Sequence, residues 1–207
     1  DLLSVAYCVT EDKDGDLWIG TNKGPIIYHP DDNIFSDSDV TGYQVKIPRN
    51  DGTNVADFLL DYEILNEIAV DGGNRKWIAT ENSGVFLVSP DGKKTIEHFT
   101  FENSPLISND VFGIAVHENT GEVFMSTKYG IVSYMGTSSE GSDDYTNVYV
   151  FPNPVRPEYN GLVTITGLIA NSNVKITDIS GNIVYETTSQ GGQATWDGKN
   201  FYGSRAA

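Results

Sequence analysis

Apolar and polar residues alternate along three segments within the first 136 residues, and the alternation has the period of a β-strand. Each segment starts with turn-forming residues. An aromatic residue, an apolar residue, a small residue and a threonine then follow in this order. A glycine follows three or four residues later and leads into a second apolar run. The three segments are DGDLWIGTNKGPIIY (14–28), GNRKWIATENSGVFLV (73–88) and TGEVFMSTKYGIVSY (120–134).

An apolar run also precedes each segment and ends in an acidic residue six positions before the aromatic. Each copy therefore predicts a strand, a tight turn, a second strand, another tight turn and a third strand. A glycine or asparagine lies in the first turn, and a glycine lies in the second, where a positive φ angle is often needed. The leading runs are VAYCVTED (5–12), ILNEIAVD (64–71) and VFGIAVHE (111–118), and the first-turn residues are Gly15, Asn74 and Gly121.

The aromatic residues of the three copies, Trp18, Trp77 and Phe124, are 59 and 47 residues apart. Repeats of roughly 40–50 residues with three or four strands are typical of β-propeller blades. The sequence therefore predicts an all-β fold. It begins with three blades of a partial β-propeller, at about 1–60, 61–107 and 108–136. Three blades do not close a ring, so we expect missing residues or another chain to complete it.

The first interval is longer because it contains a polar stretch, HPDDNIFSDSDVTGYQVKIPRNDG (29–52). We interpret this stretch as an enlarged loop before the fourth strand of the first blade. Insertions of this kind lie on one face of a propeller and often carry its binding site. The alternative is a loop without a role, and the sequence leaves both interpretations open.

A different pattern follows the repeats. The polar, Gly/Ser-rich stretch at 137–147 predicts a linker. Beyond it, alternation in LVTITGL (162–168) and NVKITDISGNIVYET (173–187) predicts a small, incomplete Ig-like β-sandwich at 148–207. The residues SGN (180–182) are predicted to form the hairpin turn of this domain.

Three prolines at the start of this second domain exclude a central strand there and indicate an edge strand or the domain entry. They lie at positions 152, 154 and 157. The sequence stops two residues after Arg205, in what we interpret as a turn. We therefore predict that the last strands of the sandwich are absent.

The composition is that of a folded and strongly acidic chain. Apolar residues make up 39% of the sequence and aromatic residues 11%, enough for a hydrophobic core. The formal net charge is −16. Such a chain repels phosphate backbones, so nucleic acid is not expected as a partner, and an anionic membrane surface is disfavoured too. No run of about 18 apolar residues occurs, so no membrane-spanning helix is predicted.

Two groups of motifs resemble known families. FPNPV (151–155), VKITDISGNIVYE (174–186) and ATWDGKNFYGSR (194–205) resemble the C-terminal sorting domain of the type IX secretion system of Bacteroidetes. In that family a Gly-Val-Tyr strand and a Lys-containing strand follow, and this sequence has neither. The blade segments resemble two-component-regulator propeller repeats. Two further phrases, NRKWIATENSGVFLVSPDG (74–92) and FENSPLISND (101–110), add to this resemblance. Together with the two groups of motifs, they make the chain similar to the C-terminal third of PorZ-like proteins.

This resemblance implies a secreted protein of the cell envelope, in the periplasm or at the outer-membrane surface. PorZ-like proteins have two β-propellers and an uncleaved sorting-type domain, and they act with a sortase that attaches cargo to anionic lipopolysaccharide. The resemblance therefore implies a noncatalytic binding or assembly protein, associated with type IX secretion or with recognition of surface glycans. The implied partners are a sortase-like envelope protein or an anionic glycan such as lipopolysaccharide.

Few residues suggest catalysis, so the chain is not expected to be an enzyme. No catalytic, cofactor-binding or metal-binding residue is predicted. The three histidines, His29, His98 and His117, lack the spacing of a metal site. His98 alternates with apolar residues and is interpreted as a strand position. Cys8, in the apolar run SVAYCV, is interpreted as a small buried side chain rather than a reactive thiol.

The repeated threonines and aromatic residues have structural interpretations. We predict that each threonine hydroxyl bonds to the backbone within its blade, and that the threonines do not form a ring around a ligand. We predict that Trp18, Trp77 and Phe124 pack between adjacent blades and not against a sugar. Trp196 is predicted to anchor the packing of the second domain. The threonines are Thr21, Thr80 and Thr127.

The acidic stretch TEDKDGDLWIGT (10–21) raises the question of a calcium loop. An EF-hand loop needs glycine at its sixth position and glutamate at its twelfth. Counted from Asp12, those positions hold Leu17 and Lys23. The slot of Asp14 holds the neutral residues Gly73 and Thr120 in the other two copies, and the slot of Asp16 holds the basic Arg75 in the second copy. We therefore predict a hairpin between the first two strands of a blade, which forms without a cation.

Two other function classes stay open. One is the periplasmic sensor of a hybrid two-component system, which uses similar repeats and continues into a membrane helix. The other is a carbohydrate-active propeller enzyme, which would need arginine, tyrosine and carboxylate side chains around a central funnel. Only four arginines are available for such a site, at positions 49, 75, 156 and 205.

Overall fold

The structure, a computed structural model, describes residues 5–29, 42–49 and 55–206. These ranges contain seventeen β-strands and no helix, which confirms the predicted all-β fold. The chain divides into two compact units. The first comprises Asp1–Val70, Asn74–Val116 and Glu122–Tyr134, and the second comprises Asp71–Gly73, His117–Gly121 and Met135–Ala207.

Twelve strands build three blades and one additional hairpin. They are β1 (Ala6–Glu11), β2 (Leu17–Thr21), β3 (Gly24–Tyr28), β4 (Lys46–Pro48), β5 (Ala56–Phe58), β6 (Leu65–Val70), β7 (Lys76–Thr80), β8 (Val85–Val88), β9 (Thr95–Phe99), β10 (Val111–Val116), β11 (Glu122–Thr127) and β12 (Gly130–Met135). Blade 1 has the order β1-β2-β3, blade 2 the order β6-β7-β8-β9, and blade 3 the order β10-β11-β12. The predicted order of strands and turns is confirmed in every copy.

The first strand of every blade has the same irregularity. A register shift occurs near the start of that strand, opposite the end of the second strand that carries the repeat threonine. An extra residue at the same place in all three sheets shows that the copies share backbone geometry as well as sequence. The shifts lie between Ala6 and Cys8, between Leu65 and Glu67, and between Val111 and Gly113.

The two turns of each blade have the backbone geometry that their residue types predict. In the first turn, φ is 86° at Gly15, 59° at Asn74 and 71° at Gly121. In the second turn of blade 2, Gly84 has a φ of 77°. A Cβ atom at Gly84 would overlap the carbonyl oxygen of Phe99, so glycine is needed there for space as well as for its φ angle. The predicted hairpins, including the one at 10–21, are confirmed.

Two hydrophobic cores join the blades. Each core places the tryptophan-bearing side of one blade against the first two strands of the next. Trp18 and Trp77 are 2% and 1% exposed, so their predicted packing between blades is confirmed. The first core includes Trp18, Ile27, Leu65, Ile68 and Ile78. The second core includes Trp77, Leu87, Val111, Ile114 and Met125.

Phe124 departs from this pattern, and the prediction that it packs between blades is wrong for the described chain. Its side chain is 37% exposed. Strand alternation places it on the same side of its blade as Trp18 and Trp77. Within the described ranges, no further blade covers that side of blade 3. Phe112 of β10 and Ile131 of β12 are exposed as well.

The insertion at 29–52 is described only at its ends, because residues 30–41 and 50–52 lie outside the described ranges. The described part corrects the prediction of a single loop. Tyr43 takes the place of a fourth strand beside β3 and exchanges two backbone hydrogen bonds with Ile27, at 2.9 and 3.0 Å. After it, β4 pairs with β5. Val45 is buried in the first core, and this burial holds the backbone of the segment in place.

Five strands form the second unit in two small sheets. They are β13 (Tyr149–Phe151), β14 (Val163–Thr166), β15 (Asn173–Thr177), β16 (Ile183–Thr188) and β17 (Gln193–Trp196). The sheet orders are β13-β14-β17 and β15-β16. A hydrophobic cluster of Ile165, Leu168 and Ala194 on one side and Val174 and Ile176 on the other joins them. The edge strand β13 ends directly before Pro152, and β15 and β16 form the predicted hairpin around 180–182.

The start of the predicted linker is buried in the second unit. Ser138 and Ser139 are 1% and 3% exposed. Their backbone is held by hydrogen bonds, including one of 2.8 Å from the Gly192 N–H to the Ser139 carbonyl. Four glycines leave room for this segment, since a Cβ atom at any of them would overlap its backbone. They are Gly72, Gly121, Gly191 and Gly192. The domain ranges predicted from the sequence stay a prediction.

Candidate functional site

A pocket of about 680 Å³ lies beside blade 1. It is lined by the turn between β1 and β2, by residues of β2 and β3, by the described ends of the insertion, and by the turn between β8 and β9. The lining residues are Asp14, Asp16, Trp18, Ile27, His29, Tyr43, Gln44, Val45, Lys46, Pro90, Asp91 and Lys93. We refer to it as the blade-1 pocket.

The floor of the blade-1 pocket is apolar and belongs to the first core. Trp18, Ile27 and Val45 are each at most 4% exposed. Gly92 lies against the tryptophan, since a Cβ atom there would come within 2.8 Å of Trp18 Cη2. The missing side chain lets the turn between β8 and β9 close over the indole. Because close-packed cores deform little, the floor of the pocket is preformed.

Two stacked rings form part of the rim. The ring centroids of His29 and Tyr43 are 4.7 Å apart, and their planes differ by 26°. His29 Nδ1 lies 2.7 Å from Asp16 Oδ1. A carboxylate at this nitrogen favours a proton on Nδ1 and fixes the orientation of the imidazole. The sequence pattern predicts no role for His29, whereas the structure places it in contact with Asp16 and Tyr43 at the pocket.

Charged groups of both signs surround the two rings. Asp14 Oδ2 accepts a hydrogen bond of 2.8 Å from Asn74 Nδ2. The hydrogen bond from Ser89 Oγ lowers the pKa of Asp91, and contacts with Lys93 lower it further. Aromatic faces beside hydrogen-bond donors and acceptors suit a polar ligand with apolar ring faces.

A buried ion pair behind the floor joins blades 1 and 2. Lys76 Nζ lies 2.7 Å from Asp12 Oδ2, and the two side chains are 0% and 2% exposed. Lys76 Nζ also donates to the carbonyl oxygens of Asn74 and Pro90, at 3.0 and 2.6 Å. It lies 4.6 Å from the ring centroid of Trp18. The ammonium group therefore has three oxygen acceptors, which a buried lysine requires.

Both carboxylate oxygens of Asp12 accept hydrogen bonds. Oδ1 accepts from the N–H groups of Asp14 and Asp16 at 2.9 and 3.0 Å, and Oδ2 accepts from Trp18 Nε1 at 3.1 Å. Burial by itself raises the pKa of Asp12. The hydrogen bond and charge of Lys76, with the two backbone donors, outweigh burial and hold this pKa below its ordinary value. Asp12 is therefore an ionised structural residue that orders the turn.

The acidic turn shows no candidate metal centre in the described chain. Among those residues, no group of three or more histidine, cysteine, aspartate or glutamate side chains could hold a metal ion. The oxygens of Asp12 face protein donors, and Asp14 and Asp16 are bonded to Asn74 and His29. The three aspartates of the stretch at 10–21 therefore have separate partners.

Sequence reasoning missed Lys76. Its slot, directly before the repeat aromatic, holds Leu17 in blade 1 and Val123 in blade 3. A lysine in an otherwise apolar slot of a repeat is a usable signal of a buried ion pair. The partner, Asp12, belongs to the neighbouring blade, so spacing along the chain could not identify it.

The predicted role of the repeat threonines is confirmed. Each Oγ1 donates to the carbonyl oxygen of the second-turn glycine and accepts from a backbone N–H inside that turn. The hydroxyls therefore close the turn between the second and third strands of each blade. The donor bonds are Thr21 to Gly24 at 2.7 Å, Thr80 to Gly84 at 2.8 Å and Thr127 to Gly130 at 3.1 Å. The accepted N–H groups are those of Lys23, Ser83 and Tyr129.

Cys8, His98 and His117 have local contacts. Cys8 packs partly buried against the first core, and burial raises the pKa of its thiol to about 11, which disfavours the reactive thiolate. His98 lies on β9, as predicted, with its ring 3.9 Å from that of Phe86. His117 Nδ1 accepts a hydrogen bond of 3.3 Å from the Thr120 N–H.

Trp196 lies on β17 and packs within the second unit, but it is only half-buried. Its Nε1 donates to the Lys199 carbonyl at 2.6 Å, and its ring stacks 6.4 Å from Tyr185. Trp196 also lines a second pocket of about 760 Å³. Arg205, in the same pocket, donates to the Tyr159 carbonyl at 3.2 Å, so its guanidinium is already bonded to the chain.

Residues 3–23 match the family Two component regulator propeller. No curated protein matches the chain in sequence. Among solved structures, the chain is similar to PorZ, an essential bacterial surface component of the type-IX secretion system of Porphyromonas gingivalis. The identity is 33%, the match covers 98% of this chain and 27% of PorZ, and the TM-score is 0.69.

The extracellular domain of a hybrid two-component system from B. thetaiotaomicron is also similar, at 18% identity and a TM-score of 0.47. That match covers 94% of this chain and 28% of the other. This chain thus spans less than a third of the length of either protein. None of its described residues belongs to a helix that could cross a membrane. The match to PorZ and the family match at 3–23 together support a PorZ-like β-propeller from a cell-envelope protein.

Proposed function

We propose that this chain is part of a noncatalytic binding or assembly protein of the bacterial cell envelope. It acts as PorZ does, in association with type IX secretion or with recognition of surface glycans. It is secreted and resides in the periplasm or at the outer-membrane surface. The observation that carries this proposal is the 33% identity with PorZ along 98% of the chain. A shared fold alone would not support a shared function.

The blade-1 pocket is the proposed recognition site. Its rim presents the stacked rings of His29 and Tyr43, and Lys46, Lys93 and Asp91 add donors and acceptors. Surface glycans such as lipopolysaccharide combine apolar sugar faces with hydroxyl and charged groups. A volume of about 680 Å³ lies in the usual range for small-ligand pockets, so one short saccharide unit fits.

Binding to purified lipopolysaccharide and to a glycan array tests the proposal. The chain should be enriched on at least one glycan relative to an unrelated propeller protein. Tyr43→Ala removes an aromatic face from the rim and should weaken that binding about tenfold. Tyr62→Ala is the matched control, because Tyr62 is 94% exposed and does not line the blade-1 pocket. Equal enrichment of the chain and the unrelated propeller would reject glycan recognition.

The noncatalytic part of the proposal has its own test. Incubation with any glycan that binds should release no new reducing ends and no unsaturated sugars. If products do form, His29 is the first residue to examine, since its imidazole is held by the Asp16 carboxylate and can transfer protons. Turnover that is lost in His29→Ala would favour a carbohydrate-active enzyme instead.

A sortase-like envelope protein is the alternative partner that we propose. Affinity capture from envelope extracts, with Tyr43→Ala beside the unchanged chain, separates this case from glycan binding. Capture of a sortase-like protein by both forms, with no glycan enrichment, would place the protein interface outside the blade-1 pocket. We also propose that further blades, from missing residues or another chain, complete the ring.

We propose further that residues 148–207 form an Ig-like, sorting-type domain. Two antiparallel sheets sharing one hydrophobic cluster support this assignment. Export of a reporter joined to the corresponding domain of the complete gene, in a bacterium with type IX secretion, tests it. A reporter that stays in the periplasm would argue against sorting competence.

The periplasmic sensor of a hybrid two-component system is a second candidate. The match of residues 3–23 to the family Two component regulator propeller favours it. The sequence of the complete gene discriminates the PorZ-like protein from the sensor. Further blades, a second propeller and a terminal Gly-Val-Tyr/Lys strand pair would support the PorZ-like protein, whereas a membrane helix followed by kinase motifs would support the sensor.

A further inference from the structure

The hairpin between β6 and β7 in blade 2 departs from the repeat at two positions, Asn74 and Lys76. The slot of Asn74 holds glycine in the other two blades, at Gly15 and Gly121. All three residues have positive φ angles, which glycine adopts at least cost and asparagine tolerates. The slot of Lys76 is apolar in the other blades. A blade therefore folds without either side chain, and both departures need an explanation beyond the fold.

The side chain of Asn74 holds the turn between β1 and β2 in blade 1. Its Oδ1 accepts a hydrogen bond of 3.0 Å from the Lys13 N–H, and its Nδ2 donates to Asp14 Oδ2 at 2.8 Å. The amide thus binds the backbone and a side chain of that turn at the same time, and a glycine in this slot makes neither bond. This turn is one wall of the blade-1 pocket, and Asp14 lines the pocket.

Lys76 connects the same wall to a second one. Its buried Nζ bonds to Asp12 at 2.7 Å and to the Pro90 carbonyl at 2.6 Å. Pro90 belongs to the turn between β8 and β9 and lines the pocket. The Asp12 carboxylate accepts hydrogen bonds from the N–H groups of Asp14 and Asp16. One ammonium group therefore holds two walls of the blade-1 pocket at a fixed separation.

The turn between β1 and β2 also orders the aromatic rim. Asp16 Oδ1 lies 2.7 Å from His29 Nδ1, and the centroids of the His29 and Tyr43 rings are 4.7 Å apart. A shift of the turn moves the Asp16 carboxylate and, with it, the imidazole. Because Asn74 and Lys76 hold this turn, the placement of the rim depends on two residues outside the lining of the pocket.

We propose that Asn74 and Lys76 are positioning residues of the blade-1 pocket. Asn74 fixes the wall that carries Asp16, and Lys76 fixes that wall against the turn between β8 and β9. They touch no ligand and act through the placement of the two stacked rings. Their effect on affinity rests on the proposed glycan recognition, whereas their effect on the turns is independent of any ligand.

Hydrogen exchange of Asn74→Gly without ligand tests the hold on the first wall. The variant has the glycine of the other blades, so the fold should be kept. The amides of Asp14 and Asp16 should exchange at least about threefold faster, because the turn opens more often without the asparagine bonds. The Lys23 amide, which bonds to Thr21 in the next turn of the blade, should be unchanged. Unchanged exchange of Asp14 and Asp16 would overturn the proposal for Asn74.

The double variant Asp12→Asn/Lys76→Met tests the hold on the second wall. It removes both charges together, so no buried charge is left unpaired. The Gly92 amide, which is hydrogen-bonded within the turn between β8 and β9, should exchange at least about threefold faster, because Pro90 loses its bond to the ammonium. Asn74→Gly keeps that bond and should leave Gly92 unchanged. Equal exchange of Gly92 in the double variant and the unchanged chain would overturn the proposal for Lys76.

Affinity for purified lipopolysaccharide measures the consequence for the pocket. Asn74→Gly should weaken this binding by about three- to tenfold, because the rim is less well placed. Asn171→Gly is the matched control, since it also replaces an asparagine of positive φ, 61° against 59° at Asn74, and lies outside the pocket lining. Equal affinity of these two variants would overturn the positioning role.

A double-mutant cycle separates positioning of the rim from a general loss of stability. Tyr43→Ala should weaken binding about tenfold in the unchanged chain but only about threefold or less in Asn74→Gly, because the ring is already misplaced there. Additive effects would overturn the route through the rim. A chain that binds neither lipopolysaccharide nor any array glycan would reject glycan recognition, while exchange of the Asp14 and Asp16 amides would still decide whether Asn74 holds the turn.

Discussion

At the scale of single residues, the Asp12–Lys76 contact shows how a repeat tolerates a lysine in an apolar slot. The pair is buried and sits between two blades. A buried ion pair is weak evidence of stability by itself, because desolvation offsets the Coulomb attraction. Removal of one partner is different, since the remaining charge stays buried without compensation. The pair therefore makes each of its members sensitive to substitution.

Asp12→Asn should destabilise the chain by about 3–5 kcal/mol, because Lys76 loses its counter-charge in a buried site. Urea unfolding at about pH 7 measures the change. Asp143→Asn is the matched control, since Asp143 is exposed. A loss for Asp12→Asn as small as that of the control would contradict the importance of the pair. Adding Lys76→Met to Asp12→Asn should restore part of the stability, since the slot is apolar in the other blades.

The lowered pKa of Asp12 predicts a pH dependence with a defined sign. A carboxyl whose pKa is lower in the folded state than in the unfolded state stabilises the fold above the unfolded value, about 3.9. That stabilisation is lost as the pH falls through the lower, folded pKa. The stability difference between the unchanged chain and Asp12→Asn should therefore be largest near neutral pH and shrink in acid below about pH 4. Unfolding series in urea at several pH values measure it, and a difference that grows in acid would refute the assignment.

At the scale of elements, the turns follow from local sequence. The threonine and glycine of each second turn are three or four residues apart, and their hydrogen bond forms within one hairpin. The alternation of each strand likewise follows from its own residues. The fourth strands do not follow from local sequence, because Tyr43 replaces a strand in blade 1 and no described strand pairs with the outer edge of β12 in blade 3. A polar insertion hid the first case from sequence reasoning.

Two glycine substitutions separate backbone strain from steric overlap. Gly84→Ala should destabilise the chain more than Gly181→Ala, although both glycines have positive φ angles, 77° and 85°. A Cβ atom at Gly84 would overlap the Phe99 carbonyl, whereas at Gly181 it would have nothing within 4 Å. The strain alone should cost about 1 kcal/mol. Urea unfolding compares the two variants, and equal losses would show that the overlap is relieved at no cost.

At the scale of the whole molecule, charge is the dominant property outside the cores. The formal net charge is −16, so like charges repel one another across the folded chain. Added salt screens this repulsion, because the Debye length falls from about 30 Å at 0.01 M to about 3 Å at 1 M. The buried Asp12–Lys76 pair is screened much less than exposed charges.

Salt should therefore stabilise the chain. The thermal midpoint should rise between about 20 mM and about 500 mM sodium chloride, by the screening argument above. Differential scanning fluorimetry measures the midpoint, with a neutral osmolyte at matched osmolality as the control. A midpoint that falls with salt would mean that favourable surface ion pairs outweigh the net repulsion.

The sequence by itself determined the all-β class, the three-blade repeat, the turn positions and the threonine–glycine bonds. These features depend on residues within about one hairpin of one another, so alternation and turn chemistry suffice to predict them. Only the tertiary structure decided that Lys76 pairs with Asp12, that His29 stacks on Tyr43, and that Phe124 stays exposed. Each of these depends on which distant segment lies beside the residue, and no pattern along the chain specifies a neighbour in another blade or the absence of one.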